Sequence, residues 1–245
     1  MTTTIIGTAG WSIAADSADA FPADGTNLQR YAGTFQGVEI NSSFHRSHRA
    51  STWARWAASV PEGFRFAAKI PKTISHQKKL VDAQPLVEAF VDEAGALGEK
   101  LAILLLQLPP KLAFDAEVAE EFLAHLKSAS PARIVCEPRH PSWFDADAGA
   151  LLERLKVARV AADPAVVPEA ARPGGWRGLA YWRLHGSPVM YRSAYGAERL
   201  AAYSQAIAAA AAGGAETWCM FDNTASSAAT ADALTLAALL SGGGR

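Results

Sequence analysis

AILLLQLP, residues 102–109, is apolar at every position from Ala102 to Leu106 and closes on Gln107, Leu108 and Pro109. A strand with apolar side chains on both of its faces is covered on both, the situation of a parallel strand lying under helices. Outward from it, seven more short runs read as strands: TIIGTAG within 3–10, GVEIN (37–41), FRFAAKIP (64–71), ARIVCEP (132–138), VARVAADP (157–164), LAYWRLHG (179–186) and ETWCMFDN (216–223). Longer amphipathic runs separate them. Leu86, Phe90, Ala94 and Leu97, and then Val118, Phe122 and Leu126, recur at about one helical turn and are read as core stripes. Asp115 and Asp145 each precede a helical run as candidate caps, while Pro61, Pro85 and Pro131 fall in connections. Eight strands alternating with helices predict an α/β fold, a single (β/α)8 TIM-type barrel occupying residues 1–245. The sixth connection is the exception. PAVVPEAARPGGWRG (164–178) holds three prolines and the pair Gly174–Gly175, and is read as an irregular loop. The alanine-rich run 206–212 favours helix, and the tail SGGGR (241–245) is expected to fray.

The bulk composition narrows the function classes. Half the residues are apolar, and 23 Lys plus Arg stand against 24 Asp plus Glu, a formal charge of -1. Such a chain builds a sizeable core and has no global basic field, so general nucleic-acid binding and attachment to an anionic membrane are not expected. MTTTIIGTAGW carries no basic segment followed by a long apolar run, and no stretch reaches the ~20 apolar residues of a membrane span, so the expectation is a cytoplasmic protein. Cys136 and Cys219 sit in strand-like runs and are read as small buried hydrophobes rather than a disulfide or zinc pair. Nothing in the sequence specifies an oligomeric state.

Barrel enzymes carry their reactive groups at the C-terminal ends of the strands. Here those ends offer Trp11; Glu39 and Asn41; Lys69; Gln107; Glu137, Arg139 and His140; Asp163; Arg183 and His185; and Asp222 with Asn223. Strand side chains alternate, so Glu39 pairs in direction with Asn41, Glu137 with Arg139, and Arg183 with His185, opposite apolar Trp182 and Leu184. In the last strand both Met220/Asp222 and Phe221/Asn223 fit as the inward set. So many buried charges must pair with one another, with a ligand or with water.

Several blocks resemble the DUF72, or YecE-like, family: GTAGWS, VEINSSFHR, PEGFRFAAKIP, LGEKLAILLLQLPP, EPRHPSW, YWRLHGS with YRSAY, and FDNT. They run in order along nearly the whole chain. The resemblance implies a TIM-type barrel with a shared pocket and brings no reaction with it. It carries over Trp11, Glu39, Asn41, Ser42, Lys69 and Gln107, then Glu137, Arg139, His140, Pro141 and Trp143, then Arg183, His185, Gly186, Tyr191 and Asn223. Ile13 stands where the family usually has an aromatic, His45 where tyrosine is more frequent, and TASSAAT (224–230) where a glycine- or histidine-bearing stretch is common.

Lys69, Arg139, Arg183 and Arg192 are candidates to converge on phosphate or carboxylate; alternatively Arg139 and Arg183 neutralise Glu137, Glu39 or Asp163. Glu137 and His185 are the leading acid/base pair. His140 has the alternative of capping a backbone carbonyl, His48 and His125 read as surface residues, and His76, in SHQKKL, has contribution to the site from its loop as the lesser of its readings. Trp11, Trp143, Tyr191 and Tyr195 either form a stacking wall or roof the barrel. No GxxxxGK[ST] or GxGxxG follows the first strand, so a nucleotide cofactor held in either of those ways is not expected, and the cofactor is otherwise unknown. Glu39, Glu137, Asp163, Asp222 and His185 suit a divalent metal chemically, but the interleaved cations oppose one. The favoured reading is a pocket for a small anionic ligand, serving a hydrolase or lyase of a phosphorylated or sugar-like compound. The alternatives are a metal-dependent phosphodiesterase- or isomerase-like barrel, and a non-catalytic module binding a metabolite or nucleic acid.

Overall fold

The computed structural model describes residues 3–242. Its strands are β1 (Thr4–Thr8), β2 (Gly37–Ile40), β3 (Arg65–Lys69), β4 (Leu101–Gln107), β5 (Arg133–Glu137), β6 (Ala158–Arg159), β7 (Ala161–Asp163), β8 (Gly174–Gly175), β9 (Leu179–Leu184) and β10 (Glu216–Phe221). The helices are α1 (Asn27–Ala32), α2 (Ala50–Ala58), α3 (Gln84–Ala94), α4 (Ala116–Ala129), α5 (Ala146–Arg154), α6 (Ala197–Ala212) and α7 (Ala228–Gly242). Seven of the eight runs read as strands form one each, the sixth forms two, and their pairings are parallel. The chain therefore has the α/β barrel architecture expected, in two sheets, β2-β3-β4-β5-β6-β8 and β1-β10-β9-β7.

Two short seams join the sheets. At one, Ala9 bridges Glu39 in parallel, and the Gly10 amide donates to the Glu39 carbonyl at 2.8 Å. The other runs through the sixth strand, which the sequence reads as one piece and the structure splits at Val160. Its first half, β6, pairs with β5, and its second half, β7, pairs with β9. The sixth connection carries no α-helix; a 3-10 turn at Pro168–Ala171 and the antiparallel pairing of β8 with β6 fill it instead.

Glycine makes the first seam possible. A Cβ on Gly7 would lie 2.3 Å from the Gly37 carbonyl oxygen, a backbone atom with nowhere to go. Gly7→Ala is therefore expected to destabilise the fold by about 1–3 kcal/mol through forced backbone movement. Urea denaturation checks this, and a midpoint equal to wild type would show that the seam is not close-packed.

Alternation splits the core in two. Outward residues such as Phe66, Leu104, Cys136, Trp182 and Cys219 pack under the helices. Inward residues, among them Ile5, Ile103, Leu105, Val135, Tyr181 and Trp218, plug the barrel. Both cysteines are buried and unbridged, and burial pushes both thiols up. On α3 the buried stripe is Val87, Phe90 and Ala94; Leu86, expected in the core, is 38% exposed because it falls one residue out of phase. Asp115 caps α4 by accepting from the Val118 amide at 3.1 Å, whereas Asp145 precedes α5 without a side-chain capping bond. The alanine-rich run lies within α6, and α7 extends through Ser241 and Gly242 of the tail expected to fray; residues 243–245 lie outside the described residues. No helix among the described residues is long and apolar enough to cross a membrane.

Candidate active site

Directly above the apolar plug, the same alternation turns charged side chains inward. Ala67 is followed two residues on by Lys69, Val135 by Glu137, Tyr181 by Arg183 and Met220 by Asp222, while Glu39 enters from β2. This decides the ambiguity in the last strand. Met220 lies in the inner core and Asp222 in the charged layer, and Phe221 packs outward.

Arg183 is the centre of that layer and is wholly buried. Its Nε and Nη2 donate to the two oxygens of Glu39 at 2.9 and 2.6 Å, Nη1 donates to Glu137 at 2.5 Å, and Nη2 also donates to Asp222 at 2.9 Å. The Tyr181 hydroxyl donates to Glu39 at 3.0 Å. His185 bridges the rim, with Nδ1 3.1 Å from Asp222 and Nε2 3.0 Å from Glu137. Arg139 Nη2 pairs with Glu137 and stands 2.8 Å from His185 Nε2.

The electrostatics follow from this packing. Burial alone would raise the Glu137 carboxyl, but Arg183, Arg139 and His185 outweigh it and hold the group well below the usual carboxylate range. Asp222 is shifted the same way, with burial opposed chiefly by Arg183 and His185. Burial would lower the Arg183 guanidinium, yet Glu39, Glu137 and Asp222 drive it well above its ordinary value. Burial and Glu39 push the Tyr181 phenol well up. Lys69 goes the other way: burial, and then Arg183, lower its ammonium to about 8 despite the pull of Glu39, Glu137 and Asp222.

Asn41, Lys69, Gln107, Arg139, Tyr191 and Asp222 line a cleft of about 540 Å³ above this layer. Phe44, His45, Lys72 and His76, from the loops after β2 and β3, form one wall. The Lys69 ammonium stands 4.2 Å from the centre of the Phe44 ring. His76 is pushed below its ordinary value by burial and by Lys69, and its Nδ1 is 2.9 Å from the Ser75 hydroxyl.

Of the residues expected at the mouth, Glu39, Glu137, Arg183 and His185 are completely buried. Glu137 and His185 belong to the charged layer beneath the cleft and are absent from its lining, with the Tyr191 ring edge-on to His185 at 5.7 Å. Arg183 neutralises Glu39 and Glu137, but Asp163 is held elsewhere, accepting from the Tyr195 hydroxyl and from Arg199 at 2.6 Å each. Asn223 donates to the Ser193 carbonyl at 3.0 Å and to Asp232 at 2.7 Å, tying the loop after β9 to α7. His140 accepts from the Ser142 amide at 3.3 Å, so it caps a short 3-10 turn through an N–H rather than a carbonyl. Arg192 is exposed on its loop. Trp11 packs edge-on against Trp56 at 5.1 Å, away from the cleft lining. Trp143 and Tyr195 are buried roofing, and of the four proposed wall aromatics Tyr191 lines the cleft. His48, read as a surface residue, is packed against Trp53 and Trp56 with Nε2 2.9 Å from the Ser42 hydroxyl. His125 is half-buried and stands 3.8 Å from Glu88.

For a metal, Arg183 already occupies the point on which Glu39, Glu137 and Asp222 converge, and no three His, Cys, Asp or Glu side chains among the described residues are grouped to hold one. Sequence reasoning passed over Tyr181 and Phe44. The first shares Arg183's inward parity, a signal present in the sequence; the second sits on a 3-10 turn, where strand alternation is silent.

A family model described as "Protein of unknown function DUF72" matches residues 5–244. The UPF0759 protein YecE of Escherichia coli is 31% identical over 121 residues, covering 49% of this chain and 43% of that protein. The chain thus spans about half the length of the curated relatives it matches. Among solved structures, a DUF72 family protein from Enterococcus faecalis superposes with a TM-score of 0.79 at 20% identity, over 98% of this chain and 96% of that one. Another, from Thermotoga maritima, gives 0.77 at 22% identity, over 98% and 99%. At these identities the two likenesses speak for the fold.

Proposed function

The chain belongs to the DUF72 family, and from that premise we propose that its barrel mouth binds a small, hydroxyl-bearing anion, phosphorylated or sugar-like, as the substrate of a hydrolase or lyase. One observation carries this reading: three polar groups of the cleft are left unsatisfied by the protein. Asn41 Oδ1 and Arg139 Nε are buried without a hydrogen-bond partner, and Lys69 has no carboxylate within ion-pairing distance among the described residues. Buried polar atoms are seldom left unpaired, so a cleft with one free acceptor and two cationic donors matches a ligand offering a hydroxyl and an anionic group.

The roles divide by depth. Lys69 and Arg139 receive the anion and Asn41 accepts from a hydroxyl. Arg183 and its carboxylates form a rigid floor. Glu137 stays ionised at neutral pH and has no face on the cleft, so Glu137 and His185 serve as positioning residues that hold Arg139 and Asp222. Protons at the ligand are then moved by groups on the cleft surface, foremost Lys69.

Thermal shift and calorimetry with inorganic phosphate, phosphorylated sugars and hydroxycarboxylates test this. A ligand at about 100 times its Kd stabilises the fold by about 2.7 kcal/mol. Phosphorylated sugars or hydroxycarboxylates should raise Tm by several degrees and exceed inorganic phosphate, and Asn41→Ala and Arg139→Met should each weaken binding about tenfold. No shift with any class, or full affinity in both variants, would overturn the reading; stabilisation by Mg2+, Mn2+ or Zn2+ alone would favour the metal-dependent alternative.

A further inference from the structure

We propose that Lys69 is a covalent nucleophile, forming an imine with an aldehyde or ketone that also carries a phosphate or carboxylate. This inference rests on the small-anion reading of the cleft, deepens it to a carbonyl substrate, and selects the lyase over the hydrolase.

Four features of Lys69 support it. The residue is 6% exposed, so its aliphatic stem is desolvated, yet it lines the cleft. Its main chain is fixed, because the Ser43 hydroxyl donates to the Lys69 carbonyl at 2.7 Å and β3 pairs with β4. Among the described residues its Nζ has no ion pair or hydrogen bond to the protein, and its close neighbour is the Phe44 ring. A lysine that only neutralised carboxylates would lie on them, as Arg183 does. Finally, a desolvated amine beside a second cation, here Arg183, sheds its proton readily and becomes nucleophilic near neutrality. The groups acting on it from the surrounding elements are Arg183, Glu39, Glu137 and Asp222, with His76 and Lys72 on the cleft wall.

The chemistry balances without a redox partner. The Nζ lone pair attacks the carbonyl carbon, a C–N bond forms, and the C=O π pair moves to oxygen and takes a proton. Loss of the nitrogen proton and departure of the hydroxyl as water leave the imine. His76 and Tyr191 line the cleft where those protons move. Arg139 Nε is placed for the substrate's anionic group. Protonation of the imine nitrogen gives the iminium; in a substrate with a β-hydroxyl, that hydroxyl gives up its proton, the Cα–Cβ bond breaks with its electron pair passing to the iminium to form an enamine, and the β-carbon leaves as an aldehyde.

The test uses the intact wild-type chain incubated with pyruvate or with dihydroxyacetone phosphate, then reduced with sodium borohydride and mapped by mass spectrometry. The expected result is one adduct, at Lys69, in at least tenfold excess over Lys72 and the exposed lysines, forming faster from pH 6 to 8.5 and absent in Lys69→Arg. An adduct spread among lysines according to exposure overturns the proposal. If the cleft binds phosphorylated sugars or hydroxycarboxylates in the thermal assay but no reducible adduct forms, covalent catalysis is refuted and the small-anion reading stands. If neither binding nor adduct is seen, both fall.

Discussion

Arg183→Met should cost the fold about 3–5 kcal/mol at pH 7, the penalty for breaking a buried ion-pair network from one side. The variant takes from Glu39, Glu137 and Asp222 the guanidinium on which all three converge in the middle of the barrel, leaving Glu39 to Tyr181, Glu137 to Arg139 and His185, and Asp222 to His185. The acid dependence should weaken as well. In the wild type, Glu137 and Asp222 titrate below their unfolded values of 4.5 and 3.8. Their stabilisation is complete above those values and lost as pH falls through the lower, folded ones. Without Arg183, burial is opposed only by Arg139 and His185 at Glu137 and by His185 and Lys69 at Asp222, so both carboxyls move up and the stability lost as pH falls should be smaller than in the wild type. Urea midpoints at pH 7 and 5 check both statements. A variant midpoint equal to wild type, or one that falls with acid in parallel, would remove Arg183 from its central role.

Lys69→Met should abolish ligand binding and, at the same time, stabilise the protein. The folded ammonium titrates at about 8 against 10.5 when unfolded. Below pH 8 both states carry the proton, and the folded state bears the whole cost of burying it, on the order of 3 kcal/mol. Between pH 8 and 10.5 the unfolded chain binds more protons than the folded one, so wild-type stability rises with pH; above 10.5 the difference is gone. The variant should therefore be the more stable protein at pH 7, by an amount that shrinks to near zero by about pH 10.5. Denaturant titrations at pH 7, 8.5 and 10 measure it. A variant less stable than wild type at pH 7, or a gap independent of pH, contradicts the assignment. A cation retained at such cost is one whose use is functional rather than structural.

The parity of inward side chains was legible because a strand repeats every two residues: Arg183 and His185, and Glu137 and Arg139, meet as their spacing requires. Residues just past strand ends were not. Trp11, His140 and Asn223 bear polar or aromatic groups at the expected positions, but turns aim them at Trp56, at Ser142 and at Asp232, while Asp163, the last residue of β7, is taken by Arg199 and Tyr195. A turn has no fixed period, so its direction depends on what it packs against.

By itself, the sequence determined the eightfold alternation of strand and helix, the missing sixth helix and the inward parity of Glu137 with Arg139 and of Arg183 with His185, since these follow from local patterning and hydrophobic period. Only the tertiary structure decided how those charges are shared. Pairing energy depends on distances between strands far apart in the chain, and those distances lock Arg183 among three carboxylates, bury Glu137 and His185 beneath the cleft, and leave Lys69 without a carboxylate at its surface.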